Sequence, residues 1–148
     1  MIIIDVLGTP APKGSARAFY KAGMKRAVIV KDNSERQKSW DRAVREAALE
    51  VIGERVEPVY VGCPVVVEIV FRLKRPASHW SKKGGLLPSA PLVPTTKPDG
   101  DKLLRTTWDA LTGLAWDDDS RIADGIVRKR YAEPGREGAR ITIEELKA

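Results

Sequence analysis

Two groups of aspartates hold the chemistry that this sequence offers. Asp99 and Asp101 flank Gly100, and Asp117, Asp118 and Asp119 stand in a row. Phosphodiester hydrolysis needs an activated water and a stabilised leaving oxygen, and carboxylate-held Mg²⁺ ions supply both. Mg²⁺ takes oxygen ligands and keeps some of its waters, so a few carboxylates are enough. In an extended backbone an i, i+2 pair points to one side, and Gly100 leaves room between them for a phosphate. Clustered acids repel one another, and a bound cation offsets that repulsion. His79 is the single histidine, which gives little material for a histidine-based triad or metal site, so water activation is expected to fall to metal. Plainer roles compete with this one. Asp99 or Asp101 also suits the N-cap of a following helix, and the triple aspartate also suits an exposed turn. The acid and glycine offsets of an EF-hand are missing.

The elements around these acids follow from periodicity. Ile2 to Leu7 reads as a buried first strand stopped by Gly8-Thr9-Pro10, and Pro10 to Gly14 as a basic loop. Ala18–Tyr20 and Ala27–Val30 are short strands around Lys21-Ala22-Gly23, a hairpin pattern. Ser34 and Gln37 make a capping box for a first helix. Its inner face is Trp40, Ala43, Val44, Ala47, Ala48 and Val51, and Gly53 ends it. Val65 to Leu73 alternates as the longest strand. Residues 74–98 then hold five prolines and Gly84-Gly85, which no helix or central strand survives. A second helix over Lys102–Thr112 buries Leu103, Leu104, Thr107, Trp108 and Leu111, with Gly113 as its stop. It is about 16 Å long by its rise per residue. The two acidic groups therefore meet only if the loop after it turns inward. Ile122–Tyr131 and Ala139–Leu146 read as a closing hairpin. The expected architecture is α+β: a single small domain over residues 1–148, with both helices on one face of a mixed or antiparallel sheet.

Composition narrows the class. The chain has 148 residues and a net charge of +6. One cysteine, Cys63, excludes a disulfide framework and a cysteine-based zinc site. No apolar run approaches the roughly 20 residues of a membrane span, and Met1-Ile2-Ile3-Ile4-Asp5 meets an acid too soon to read as a signal peptide, so none is expected. The positive charge is concentrated in two segments. Residues 1–31 carry +5, and residues 72–97 carry six bases and no acid. The remainder is acidic. The segments read either as solvated loops or as two walls of a groove for a phosphate backbone.

The same residues resemble a known family. Lys97-Pro98-Asp99-Gly100-Asp101-Lys102-Leu103-Leu104-Arg105, Asp109-Ala110-Leu111-Thr112-Gly113 and Asp117-Asp118-Asp119-Ser120 are similar to the signature of the RusA Holliday junction resolvases. The stretch Gly8–Gly14 resembles that family's early loop. The resemblance implies a RusA-like fold and a homodimer that makes symmetrical nicks in a four-way DNA junction with Mg²⁺, for which Mn²⁺ substitutes. It also implies metal ligation by Asp99, Asp101 and Asp119, assisted by Asp118. The family's catalytic lysine falls on Arg105, which neutralises phosphate bidentately but does not give up a proton. Lys102 is the fallback. Lys13, Arg17, Lys82, Lys83 and Lys97 are the expected phosphate contacts, and Trp80 either stacks on an unpaired base or packs under its loop. The implied partners are branched DNA and a second copy of the chain, with no small-molecule cofactor. The implied setting is the cytoplasm of a bacterial or phage-infected cell. The rival readings are a non-catalytic basic DNA-binding protein, a nuclease of different structure specificity, and an interaction module of a phage particle.

Overall fold

The computed structural model describes residues 1–14, 16–20, 22–23, 25–31 and 34–148, and the backbone alone at 16–19 and 28–31. In chain order the elements are β1 (Ile2–Leu7), β2 (Ala16–Phe19), β3 (Val28–Lys31), α1 (Ser34–Ile52), β4 (Val65–Leu73), α2 (Gly100–Leu111), β5 (Ile122–Tyr131) and β6 (Gly138–Glu145). Four strands form one mixed sheet in the order β1-β6-β4-β5. β6 is antiparallel to both β1 and β4, and β5 is parallel to β4. β2 and β3 pair separately as the expected hairpin, with Phe19 opposite Val28. Lys21 lies outside the described residues, as does the side chain of Arg17.

Alternation along β4 decides which face is covered. Val65, Val67, Ile69, Phe71 and Leu73 are buried under the helices, and the residues between them are half-buried on the other face. Ile4 and Val6 from β1 and Ala139, Ile141 and Ile143 from β6 extend the same core. α1 adds Trp40, Val44 and Ala48, and α2 adds Leu103, Ala110 and Leu111. The helices also meet through polar groups. The Trp40 indole donates to Thr107 Oγ1 at 3.0 Å inside the core, a bond worth about 1 kcal/mol net. Gly53 ends α1 with φ 77°, its N–H returning to the Leu49 carbonyl, a turn that only glycine makes without strain.

Three expectations change. β5 and β6 are not a hairpin, because β4 lies between them. The link at 132–137 crosses the end of β4, tied by Ala132 N–H to the Leu73 carbonyl and by Arg72 Nε to the Arg136 carbonyl. β1 is an edge strand and not a buried one, so Ile3 and Leu7 face solvent. On α1, Val51 is exposed and Ile52 packs on the core instead, because the buried stripe drifts by the end of a long helix. The proline-rich loop has no regular structure beyond one 3-10 turn at Ala77–His79. It is nevertheless pinned to the end of β5. Arg75 stacks over the Tyr131 ring at 4.2 Å, and His79 meets that ring edge-on.

Candidate active site

The loop from β4 delivers the chain to the N-terminus of α2, where Asp99 takes the N-cap position. Its side chain makes no capping hydrogen bond. The carboxylate is half exposed, and its charged neighbour is Lys102 at 3.8 Å. Asp101 is exposed in the first turn of the helix. Arg105 stands one turn further on the same exposed face, four residues from Asp101. The plain reading of Asp99 as a helix cap therefore fails. The acid occupies the position without doing the job.

Basic groups gather here. Lys13 N–H donates to the Lys102 carbonyl, bringing the early basic loop against α2, and its ammonium pairs with Asp109 at 2.6 Å. Lys97 is exposed two residues before Asp99. Lys129 on β5 donates to the carbonyls of Thr96 at 2.8 Å and Pro98 at 3.1 Å, bracing the loop that carries Asp99. Sequence reading missed Lys129. The available signal was its odd register in β5, which places it on the helix-covered face beside Val127 and Tyr131. Lys82 and Lys83 lie exposed in a turn closed by Ser81 N–H to the Gly85 carbonyl. Trp80 is half-buried and bridges to Leu86. It lines a pocket with Lys74, Arg75 and the link after β5. This loop leaves the carboxyl end of β4, so it shares an end of the molecule with Asp99.

The second acidic group is at the opposite end of α2, and its three members do different things. Asp117 accepts both Arg121 Nε and Nη2 at 3.2–3.3 Å. Those hydrogen bonds hold its carboxyl below the ordinary value. Asp118 accepts Ser120 N–H at 2.8 Å and caps the 3-10 turn at Asp119–Arg121. Hydrogen bonding to Ser120 likewise lowers its pKa. Asp119 Oδ1 accepts the Trp116 indole N–H at 2.8 Å and the Thr112 hydroxyl at 2.6 Å. Trp116 is fully buried, so the indole is a fixed donor. Oδ2 of Asp119 has no protein partner among the described residues.

Asp99 and Asp101 suit a hard cation, which takes one or two carboxylates with waters and substrate phosphate. The three-acid set of Asp99, Asp101 and Asp119 does not close around one ion within a single chain. The twelve residues of α2 separate its ends by about 18 Å. Among the described residues no three acids, histidines or cysteines stand close enough to share a metal. A cavity of about 810 Å³ runs between α1 and α2, and neither acidic group lines it.

A small mixed sheet with both helices on one face, and a carboxylate pair set among lysines and arginines, describes an enzyme or a binder for phosphodiesters. Comparison with known proteins resolves the class. The sequence matches the family described as Endodeoxyribonuclease RusA over residues 9–144. This chain belongs to that family, and membership implies nuclease activity on Holliday junctions. It is also similar to YqaN of Bacillus subtilis (strain 168), described as an uncharacterized protein. The two are 32% identical over 149 residues, covering 99% of this chain and 98% of YqaN. Among the described residues no helix is long and apolar enough to cross a membrane.

Proposed function

We propose that this chain is a Mg²⁺-dependent endodeoxyribonuclease that resolves four-way DNA junctions by paired symmetrical nicks, acting as a homodimer in the cytoplasm. The observation that carries the proposal is the Asp99-Gly100-Asp101 pair at the start of α2. Its first carboxylate is unspent on the helix, Lys102 lies 3.8 Å from it, and Lys97 and Arg105 stand exposed before and after it in the chain. A protein that only binds DNA gains nothing from unneutralised acids beside phosphate. Asp99, Asp101 and Asp119 are assigned to the divalent cation, with Asp118 as an assisting acid. Arg105 holds the scissile phosphate through its planar fork, and Lys102 offers an amine beside Asp99. Lys13, Arg17, Lys82, Lys83 and Lys97 bind the flanking phosphates, whose neutralisation makes affinity fall with salt. Trp80 supports the basic loop from beneath.

The test uses a synthetic four-way junction with Mg²⁺, with EDTA, and with Asp101→Asn. The expected result is paired nicks in the first case only. Equal cutting in all three sinks the proposal. Plain duplex as competitor separates a junction resolvase from a nuclease of other specificity.

A further inference from the structure

The long loop between β4 and α2 carries a feature that the acidic site does not use. Three apolar side chains stand out from it: Leu86 is 46% exposed, Val93 41% and Leu92 87%. Single exposed apolar residues are ordinary on a protein surface. These differ in their setting, because hydrogen bonds hold the segment around them. Leu87 N–H donates to the His79 carbonyl and Ser81 N–H to the Gly85 carbonyl, which closes a small hairpin around Lys82 and Lys83. The Gly85 N–H also donates to Ser81 Oγ at 3.1 Å. Further on, Leu92 and Val93 lie in a bend that is pinned on both sides. On one side Arg75, stacked on the Tyr131 ring at 4.2 Å, donates to the Pro91 carbonyl at 2.8 Å. On the other side Pro94 is buried. The fold thus holds a leucine out in water with a stacked guanidinium and an anchored proline.

Charge says what such a surface meets. No acid stands between Glu68 and Asp99, whereas Lys74, Lys82, Lys83 and Lys97 are all exposed. An apolar tip in a basic surround matches a polyanion that also offers apolar faces. DNA offers such faces where its stacking is interrupted. In an intact duplex they are covered, and opening a base step is costly. Val56 is more exposed still, but it stands between Arg55 and Glu57 and lacks the basic surround. Reach fits as well. Leu92 precedes Asp99 by seven residues, so the two lie at most about 25 Å apart, or about seven base steps along one strand. We propose that Leu92 and Val93 form a wedge that enters the opening at a DNA branch point, with Lys82 and Lys83 on the phosphates beside it. An open branch point takes the wedge without the unstacking that a plain duplex demands. Because the tip is held before DNA arrives, little ordering is needed on binding. The proposal rests on the reading of branched DNA as the substrate, and it assigns the choice of that structure to residues outside the acidic site.

A synthetic four-way junction with 2-aminopurine at the branch point tests it, in EDTA so that no strand is cut. This base brightens when it unstacks. The wild type is expected to raise the fluorescence and to bind the junction more tightly than a matched duplex. Leu92→Ser with Val93→Ser should lose the rise and about tenfold of the junction preference, the order of one stacked base. Its duplex affinity and its salt slope should stay as they are, because the lysines remain. Both side chains are exposed, so its melting temperature should match the wild type. Leu92→Phe keeps an apolar tip and should keep the preference, and Val56→Ser should change nothing. An unchanged preference in the double variant overturns the proposal, as does a wild-type complex with no rise in fluorescence. Equal loss of affinity for junction and duplex also overturns it, since that marks a general DNA contact. A double variant that differs from the wild type only in sedimentation marks a contact with another protein chain, and the proposal falls. The nuclease reading fails separately: Mg²⁺ then yields no nicks, although the wild type still prefers the junction and brightens it.

Discussion

Asp99→Ala separates a functional acid from a structural one. A residue that caps a helix through its side chain costs about 1 kcal/mol to replace by alanine. Asp99 makes no such bond. What it does make is an ion pair with Lys102 at 3.8 Å, with the two side chains 50% and 42% exposed, worth between zero and about 1 kcal/mol. Its charge also favours the helix N-terminus by about 0.3–1 kcal/mol. Against these stands its repulsion with Asp101, which the substitution relieves. The opposing effects leave a net change within about 0.5 kcal/mol, or about 1–2 °C in melting temperature for a chain of this size. Nicking should nevertheless fall at least about a hundredfold, the upper range for residues that merely support a ligand. Thermal melting by circular dichroism and junction nicking are measured on the same preparation. Asp118→Ala is the control, because its side chain does cap a turn, and its melting temperature should drop measurably. The reasoning is refuted if Asp99→Ala melts as low as the control while cutting at the wild-type rate.

The other predictions address binding, loop bracing, acid stability and backbone fit. Lys82→Ala with Lys83→Ala should reduce the slope of log affinity against log salt by about two, since each lost phosphate contact removes about 0.9; an unchanged slope removes these lysines from the footprint. Lys129→Met frees the Thr96 and Pro98 carbonyls that position Asp99. Turnover should fall toward the hundredfold that a small misplacement costs, with DNA affinity unchanged, and a matched fall in affinity would show a direct DNA contact instead. Asp117 lies below its ordinary value of 3.8, chiefly through Arg121. Its contribution to stability is therefore present above that value and lost as pH falls through the lower folded one. Arg121→Gln should reduce stability at neutral pH and flatten the loss below about pH 4, as read by urea denaturation across pH. Gly138 has φ 156°, and a Cβ there would meet the Val6 carbonyl oxygen at 1.8 Å. Gly138→Ala should cost at least about 2 kcal/mol by separating β1 from β6; a variant with wild-type melting would contradict the register.

The legible parts of the chain were those where one pattern decides one outcome. Strict alternation from Val65 to Leu73 fixes β4, and apolar spacing from Trp40 fixes the inner face of α1. The proline density after Lys74 fixes a loop. What was hidden depends on contacts between distant segments. Ile122–Tyr131 reads as a strand either way, but a local pattern does not say whether its neighbour is β6, next in sequence, or β4, fifty residues earlier. The aspartates were located by their spacing and their resemblance to a family signature. Their individual duties were not, because Asp99 is a good N-cap by type and only its unused side chain shows otherwise. Lys129 was hidden for the same reason: its partners are carbonyls in a loop more than thirty residues away.

The triple aspartate shows why adjacency along the chain is a poor guide to shared function. The chain bends at Asp117 and enters the 3-10 turn at Asp119, so three neighbours reach three environments. Asp117 is neutralised by Arg121, and Asp118 caps the 3-10 turn through one oxygen. Asp119 is anchored through one oxygen alone, by a hydroxyl and an indole N–H. Two neutral donors orient a carboxylate without cancelling its charge. A counter-ion such as Arg121 would cancel it. A ligand held ready for a cation needs orientation without a counter-ion, and Asp119, with two donors on one oxygen, meets that need best, while Asp118 is held by one backbone N–H. At the other end of α2, Asp99 keeps its charge with the Lys102 ammonium no closer than 3.8 Å, and Asp101 is exposed in the first turn.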